Sequence, residues 1–140
     1  MRNARGFTLV ELAVVVVIIG VLAAFAVPRF LASVERSKAA EAFNYLSSIQ
    51  AAQERYHARQ GTYAGDVTDL DIQMTHIKYF TAGTVAAGST SSLQDSWSLT
   101  LTRAGASAGY GEYTVTFTDQ GYDSVNSTIN ALPDINPMQT

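Results

Sequence analysis

The stretch Arg5-Gly6-Phe7-Thr8-Leu9-Val10-Glu11, continued by an apolar run that ends at Val27, decides how this chain is read. Phe7 to Val27 is 21 residues. At 1.5 Å per residue a helix of that length reaches about 32 Å, close to the ~30 Å hydrocarbon core of a bilayer. Val, Ile, Leu, Ala and Phe fill the run, with Gly20 as its helix-weakening residue and Glu11 as its one charge. A lone carboxylate at that depth costs about 2.5–3.5 kcal/mol on insertion scales, so it needs a partner. No basic side chain lies in the span.

On the amino-terminal side stands a short basic head, Met1 to Gly6, with Arg2 and Arg5. Positive charge stays cytoplasmic, which orients the amino terminus inward and sends everything after Arg29 across the membrane. An ordinary secretory signal has its cleavage site after the apolar region. Here a basic leader ending in Gly, then Phe-Thr-Leu-x-Glu, then a hydrophobic helix, resembles the class III signal of type IV prepilins and pseudopilins. The resemblance implies that residues 1–6 are a leader cut between Gly6 and Phe7 by a prepilin peptidase. It also implies methylation of the new Phe7 amine and delivery through an inner-membrane assembly platform into a homo-oligomeric helical filament. The precursor then sits in the inner membrane with its carboxy-terminal domain periplasmic or extracellular, and the assembled subunit in a cell-surface pilus.

Glu11 lies four residues beyond the Phe7 that cleavage exposes. A buried carboxylate needs an opposite charge, and the nearest cation at that depth is a Phe7 amine, its own or a neighbour's. Pairing with a neighbour sets the axial register of subunits, the role the family resemblance assigns to it; a polar group among apolar seams is a known register device. A Glu11 that is protonated, or that snorkels to the membrane edge, is the competing reading.

Pro28 follows the span directly. Proline removes a helical hydrogen bond, and glycine weakens a helix by about 1 kcal/mol relative to Ala. Gly20 and Pro28 therefore bracket the weakest segment of the helix, either as a mild kink or, as the resemblance implies, as a stretch that extends when the subunit enters a filament.

Residues 7–29 form the assembly helix and residues 30–60 its amphipathic continuation, because Ala42, Leu46, Ile49, Gln53 and Tyr56 step at helical spacing and Phe43 and Tyr45 widen the stripe. A sheet is expected to pack on that stripe. Gly61 suits the position just past a helix end. Residues 61–76 read as a loop pinned by Tyr63 and Leu70. Residues 77–120 read as an antiparallel sheet: Trp97, Leu99 and Leu101 alternate with polar residues, as do Tyr113, Val115 and Phe117. The glycine-rich link Ala104 to Gly111 suits a hairpin. Residues 121–140, with Pro133 and Pro137, read as a tail or covering segment. The fold class is α+β: one long helix against a small antiparallel sheet.

The composition narrows function further. Net charge is −3, and removing Arg2 and Arg5 leaves seven basic against twelve acidic side chains, a net of −5. Such a balance disfavours general phosphate-backbone binding, so no nucleic-acid partner is expected from the sequence. There are no cysteines, a departure from the many pilins that close their carboxy-terminal region with a disulfide, so something else must hold that end. His57 and His76 are not at ligand spacing. Asp66, Asp69 and Asp71, and the set Asp119, Asp123 and Asp134, lack the alternating pattern and glycine of a calcium loop; the second set is a weak calcium candidate because some secretion pseudopilins bind calcium in a carboxy-terminal loop. Asn126-Ser127-Thr128 matches the N-glycosylation triplet, a common chance match. The aromatic row Phe7, Phe25, Phe30, Phe43, Tyr45 and Tyr56 is read as packing. No nucleophile motif, zinc motif or phosphate loop is present. The chain is thus expected to be a structural pilus subunit without cofactor or catalysis. A major subunit is preferred over a minor pilin or type II secretion pseudopilin, because the loop lacks a proline pattern associated with the major secretion pseudopilins. A surface DNA- or ligand-binding module and a single-anchor membrane enzyme are the remaining classes.

Overall fold

A single α-helix, α1, runs from Leu9 to Gln60, 52 residues, in the computed structural model. The structure describes residues 6–73 and 76–139. Leader residues 1–5, Met74 and Thr75 in the expected loop, and Thr140 at the end of the expected tail lie outside the described residues.

Gly20 and Pro28 both sit inside α1, which stays α-helical through them. Gly61 caps the other end. It takes the left-handed conformation with φ 74° and donates its N–H to the His57 carbonyl, satisfying one of the last orphan acceptors.

Five strands come after the helix among the described residues: β1 (Phe80–Ala82), β2 (Ala86–Ala87), β3 (Trp97–Arg103), β4 (Thr114–Thr118) and β5 (Gly121–Tyr122). All pairings are antiparallel, with β1 and β2 on one side of β3 and the order continuing β3, β4, β5. Register places Leu99 opposite Phe117 and Leu101 opposite Val115, so the two alternating runs point their apolar members at one face. That face lies on the stripe of α1: Ala42, Leu46 and Ile49 have no exposed surface, and Phe43 meets Phe117 edge-on at 5.9 Å. Full burial of side chains such as Leu46 and Ile49 stabilises by about 1.5–3 kcal/mol each. The outer face keeps threonines, with Thr100 and Thr116 hydroxyls 2.8 Å apart.

The sheet runs past residue 120, its expected end. Strand β5 falls within residues 121–140, because Gly121 with φ 100° makes the tight turn that lets Tyr122 pair back on Phe117. The segment after β5 clasps the carboxy-terminal region without a disulfide. Ser127 Oγ accepts from Thr116 N at 2.8 Å and Thr128 Oγ1 from Thr114 N at 2.7 Å, so two hydroxyls take the place of a further strand along β4. Ile129, on a short 3-10 turn (Thr128–Ala131), and Ile135 are fully buried. The triplet Asn126-Ser127-Thr128 is thereby put to structural use.

Candidate functional site: the bare half of the helix and the seam that carries the head

The helix start is built by residues 8 to 11. Thr8 is the N-cap: its Oγ1 accepts from Glu11 N at 3.2 Å, while Glu11 Oε2 accepts from Thr8 N at 2.8 Å and from Thr8 Oγ1 at 2.9 Å. This is a capping box, and the Thr-x-x-Glu spacing that encodes it stands in the sequence. Glu11 is therefore occupied with its own helix end through one oxygen. Its Oε1 has no hydrogen bond among the described residues and stays open to a cation. Gly6 and Phe7 are exposed in front of it, Phe7 by 81%.

From Leu9 onward the apolar side chains face no protein, and none of the membrane-length window is buried. This bare half extends beyond residue 29. Phe30 is 67% exposed, Leu31 and Val34 are also exposed, and the first buried residue on α1 is Glu35. The turn after Pro28 is only partly covered: Ala32 is half-buried against the core, and full burial on α1 begins at Glu35. Around Gly20 a methyl group would meet nothing within 4 Å, so this chain's own head does not require glycine there.

The head is fastened to the helix by a polar seam within the apolar stripe. Arg103, the inward residue that ends β3, places Nε 2.6 Å from Glu35 Oε1 and a terminal nitrogen 3.2 Å from Oε2. Tyr113 donates its hydroxyl to the same carboxylate at 2.8 Å. The remaining guanidinium donors reach the carbonyls of Tyr79, Ala104 and Ala106, which anchors the start of the β3–β4 hairpin. Lys38, one turn along, adds charge at 3.6 Å. Burial alone raises a carboxyl, but the Arg103 and Tyr113 hydrogen bonds and the charges of Arg103 and Lys38 outweigh it, so Glu35 is held below the usual carboxylate range. The Tyr113 hydroxyl is pushed up, first by burial and then by its bond to the Glu35 carboxylate.

Further ties run along α1. Glu41 accepts from the backbone N–H of Lys78 at 3.0 Å and of Tyr79 at 3.1 Å. Fully buried Gln53 clamps Ala64 from both sides, accepting from its N at 2.8 Å and donating to its O at 3.0 Å. Arg36 donates to the Gln139 carbonyl at 2.8 Å, holding the carboxy-terminal segment without a disulfide. Tyr63 and Leu70 are buried as the pins of the loop, with Tyr63 stacked on His57 at 4.4 Å. His57 Nε2 lies 2.9 Å from the Gln94 carbonyl, and His76 is exposed elsewhere.

The calcium candidates stand apart. Asp119 and Asp123 border one shallow cleft and Asp134 another. Asp123 is spent on its own turn, accepting from Val125 N, Asn126 N and Asn126 Nδ2. Asp71, in the first acidic set, takes Arg55 at 2.9 Å and Arg59 at 3.5 Å. Among the described residues no group of three His, Asp or Glu is gathered as a metal site.

Two family models match in succession, one over the start of the chain and its apolar run and one over the rest of the helix and most of the head. Residues 1–27 match the family model of the prokaryotic N-terminal methylation motif, and residues 28–128 match the model described as type IV minor pilin ComP, DNA uptake sequence receptor. The fimbrial protein EcpC of Eikenella corrodens is 38% identical over 87 residues, 61% of this chain and 57% of that one. The type IV major pilin protein PilA of Myxococcus xanthus is 42% identical over 69 residues, 49% of this chain and 31% of that one. The type II secretion system core protein G of Vibrio cholerae is 38% identical over 75 residues, 54% of this chain and 51% of that one. The matched region thus covers between 31% and 57% of these relatives' length. No solved structure matches.

Proposed function

The chain belongs to the type IV pilins, in the family described as type IV minor pilin ComP, DNA uptake sequence receptor, and on that premise we propose that it is a structural subunit of a type IV pilus. One observation carries the reading: half of a 52-residue helix is apolar and bare, and the other half is fixed to a packed head. A bare apolar half-helix has two stable surroundings, a bilayer or the same helix of other copies. Burying a few hundred Å² against each neighbour at ~25 cal/mol per Å² is several kcal/mol per contact, repeated along an open, heterologous assembly.

In the same reading the precursor spans the inner membrane with its basic leader cytoplasmic. A prepilin peptidase cuts between Gly6 and Phe7, the Phe7 amine is methylated, and Glu11 Oε1 receives the amine of a neighbouring copy. Gly20 and Pro28 mark where the helix extends on assembly. The chain has no catalytic role. Electron microscopy with antibody labelling of sheared surface material tests this. Labelled fibres support it; protein confined to the membrane fraction of a strain that makes other pili overturns it.

The family description brings a second reading, contact with DNA. In this chain Arg55 and Arg59 share Asp71, Arg103 is buried, and Arg36 is tied to the carboxy-terminal segment. These engagements and the net charge of −5 support the structural role without DNA contact by the isolated subunit. A salt-dependent gel shift of the full chain in detergent separates the two.

A further inference from the structure

The level at which α1 leaves the membrane coincides with a cleft whose charged walls the assembly reading does not use. Phe7 to Arg29 is 22 residue steps, about 33 Å of helix, so with Phe7 at the inner interface Arg29 arrives at the outer headgroup layer. There a hollow of about 670 Å³ opens between the helix, the β3–β4 hairpin and the carboxy-terminal segment, lined by Arg29, Ser33 and Arg36 on one wall and by Tyr110, Pro133 and Asp134 on the other. A smaller hollow of about 210 Å³ with mainly apolar walls, including Leu31 and Ala108, shares Pro28 and Tyr110 with it.

The charges in this cleft are of both signs and on opposite walls. Arg29 is exposed and makes no salt bridge among the described residues. Asp134 is exposed and likewise makes none. Arg36 is held to the Gln139 carbonyl, which fixes the far end of the cleft. Tyr110 is an amphipathic aromatic at the depth where such rings settle in bilayers.

We propose that this cleft seats the headgroup of an aminophospholipid of the outer leaflet while the precursor waits in the membrane. The lipid phosphate meets Arg29, the primary ammonium meets Asp134, and the glycerol region lies along Leu31, Ala108 and Tyr110. Guanidinium to phosphate and ammonium to carboxylate are both charge-assisted contacts. A purely anionic headgroup leaves Asp134 without a partner and against a like charge. A trimethylated one offers no N–H. The inference rests on the membrane-resident precursor reading, and adds that the resting subunit is held at a set depth by one lipid.

The test uses full-length precursor in nanodiscs containing equal parts of phosphatidylethanolamine, phosphatidylglycerol and phosphatidylcholine, released into native mass spectrometry. Co-migration with the nanodisc reports membrane insertion separately, so a failure of insertion contradicts the precursor reading and a failure of selectivity contradicts this one. One retained phosphatidylethanolamine per chain is expected. Arg29→Gln lowers its occupancy about tenfold, the loss of one charge-assisted contact. Asp134→Asn abolishes the preference for phosphatidylethanolamine over phosphatidylglycerol. Both positions are exposed, so the head keeps its fold. Retention of the three lipids in proportion to their abundance, or retention unchanged in Arg29→Gln, overturns the proposal.

Discussion

Glu35 on α1 and Arg103 on β3 meet at 2.6 Å with both side chains shut away from solvent. They lie 68 positions apart in the chain, and the bond they make joins α1 to the head.

Removing one partner of a buried pair leaves the other charge stranded, at about 3–5 kcal/mol. Glu35→Met and Arg103→Met are each expected to lose stability in that range, read from urea unfolding of the full chain in detergent. Trp97, the only tryptophan and fully buried, is the fluorescence reporter. The double variant Glu35→Met with Arg103→Met loses less than the sum of the singles, since no unpaired charge remains. Additive losses would show that the two side chains act independently.

The same carboxylate sets an acid limit. Glu35 has its folded value below the usual one, so its contribution is complete above the unfolded carboxylate range near ~4.3 and falls away as pH drops through the lower folded value. Unfolding midpoints of the native chain therefore decline as pH falls below that range, and Glu35→Gln shows a shallower decline. Parallel curves for the two proteins would remove Glu35 from the acid response. Exposed Asp71, lowered by Arg55, adds little to it.

Gly61 is required by backbone geometry alone. Its φ is 74°, and an added methyl group would meet nothing within 4 Å. Gly61→Ala is expected to cost about 1–2 kcal/mol, the left-handed penalty of an L-residue. Gly61→Asn costs less, because Asn tolerates that conformation. Equal losses for the two would point to a side-chain clash instead.

Glu11 has two roles that substitution separates. Gln at this place still serves a capping box but carries no charge for an amine. Glu11→Gln is expected to insert in the membrane like the native chain and to yield few or no fibres, counted by electron microscopy of sheared material. Native fibre yield would reduce Glu11 to a helix cap.

Much of this architecture is legible in the sequence because it is written at short range. The apolar run to Val27, the four-three stepping from Ala42 to Tyr56, Gly61 and the alternation around Trp97 and Val115 each declare themselves within one element. Thr8-x-x-Glu11 is equally local, but the same Glu also carries the register reading, and that role hides the cap. The Glu35 seam is out of reach for a different reason. Glu35, Arg103 and Tyr113 come from three elements, and a charged residue on a helix stripe looks solvated until the sheet register places its partner. Ile129 and Ile135 lie among prolines and polar residues without period, so the segment reads as a tail or covering segment with no sign of which residues it buries.

The most direct measurement is the intact mass and amino-terminal fragmentation of this subunit taken from sheared surface fibres. A chain beginning at Phe7 with one added methyl group on its amine is the predicted result. A subunit in fibres that still begins at Met1 would contradict the claim that cleavage frees the amine which Glu11 receives.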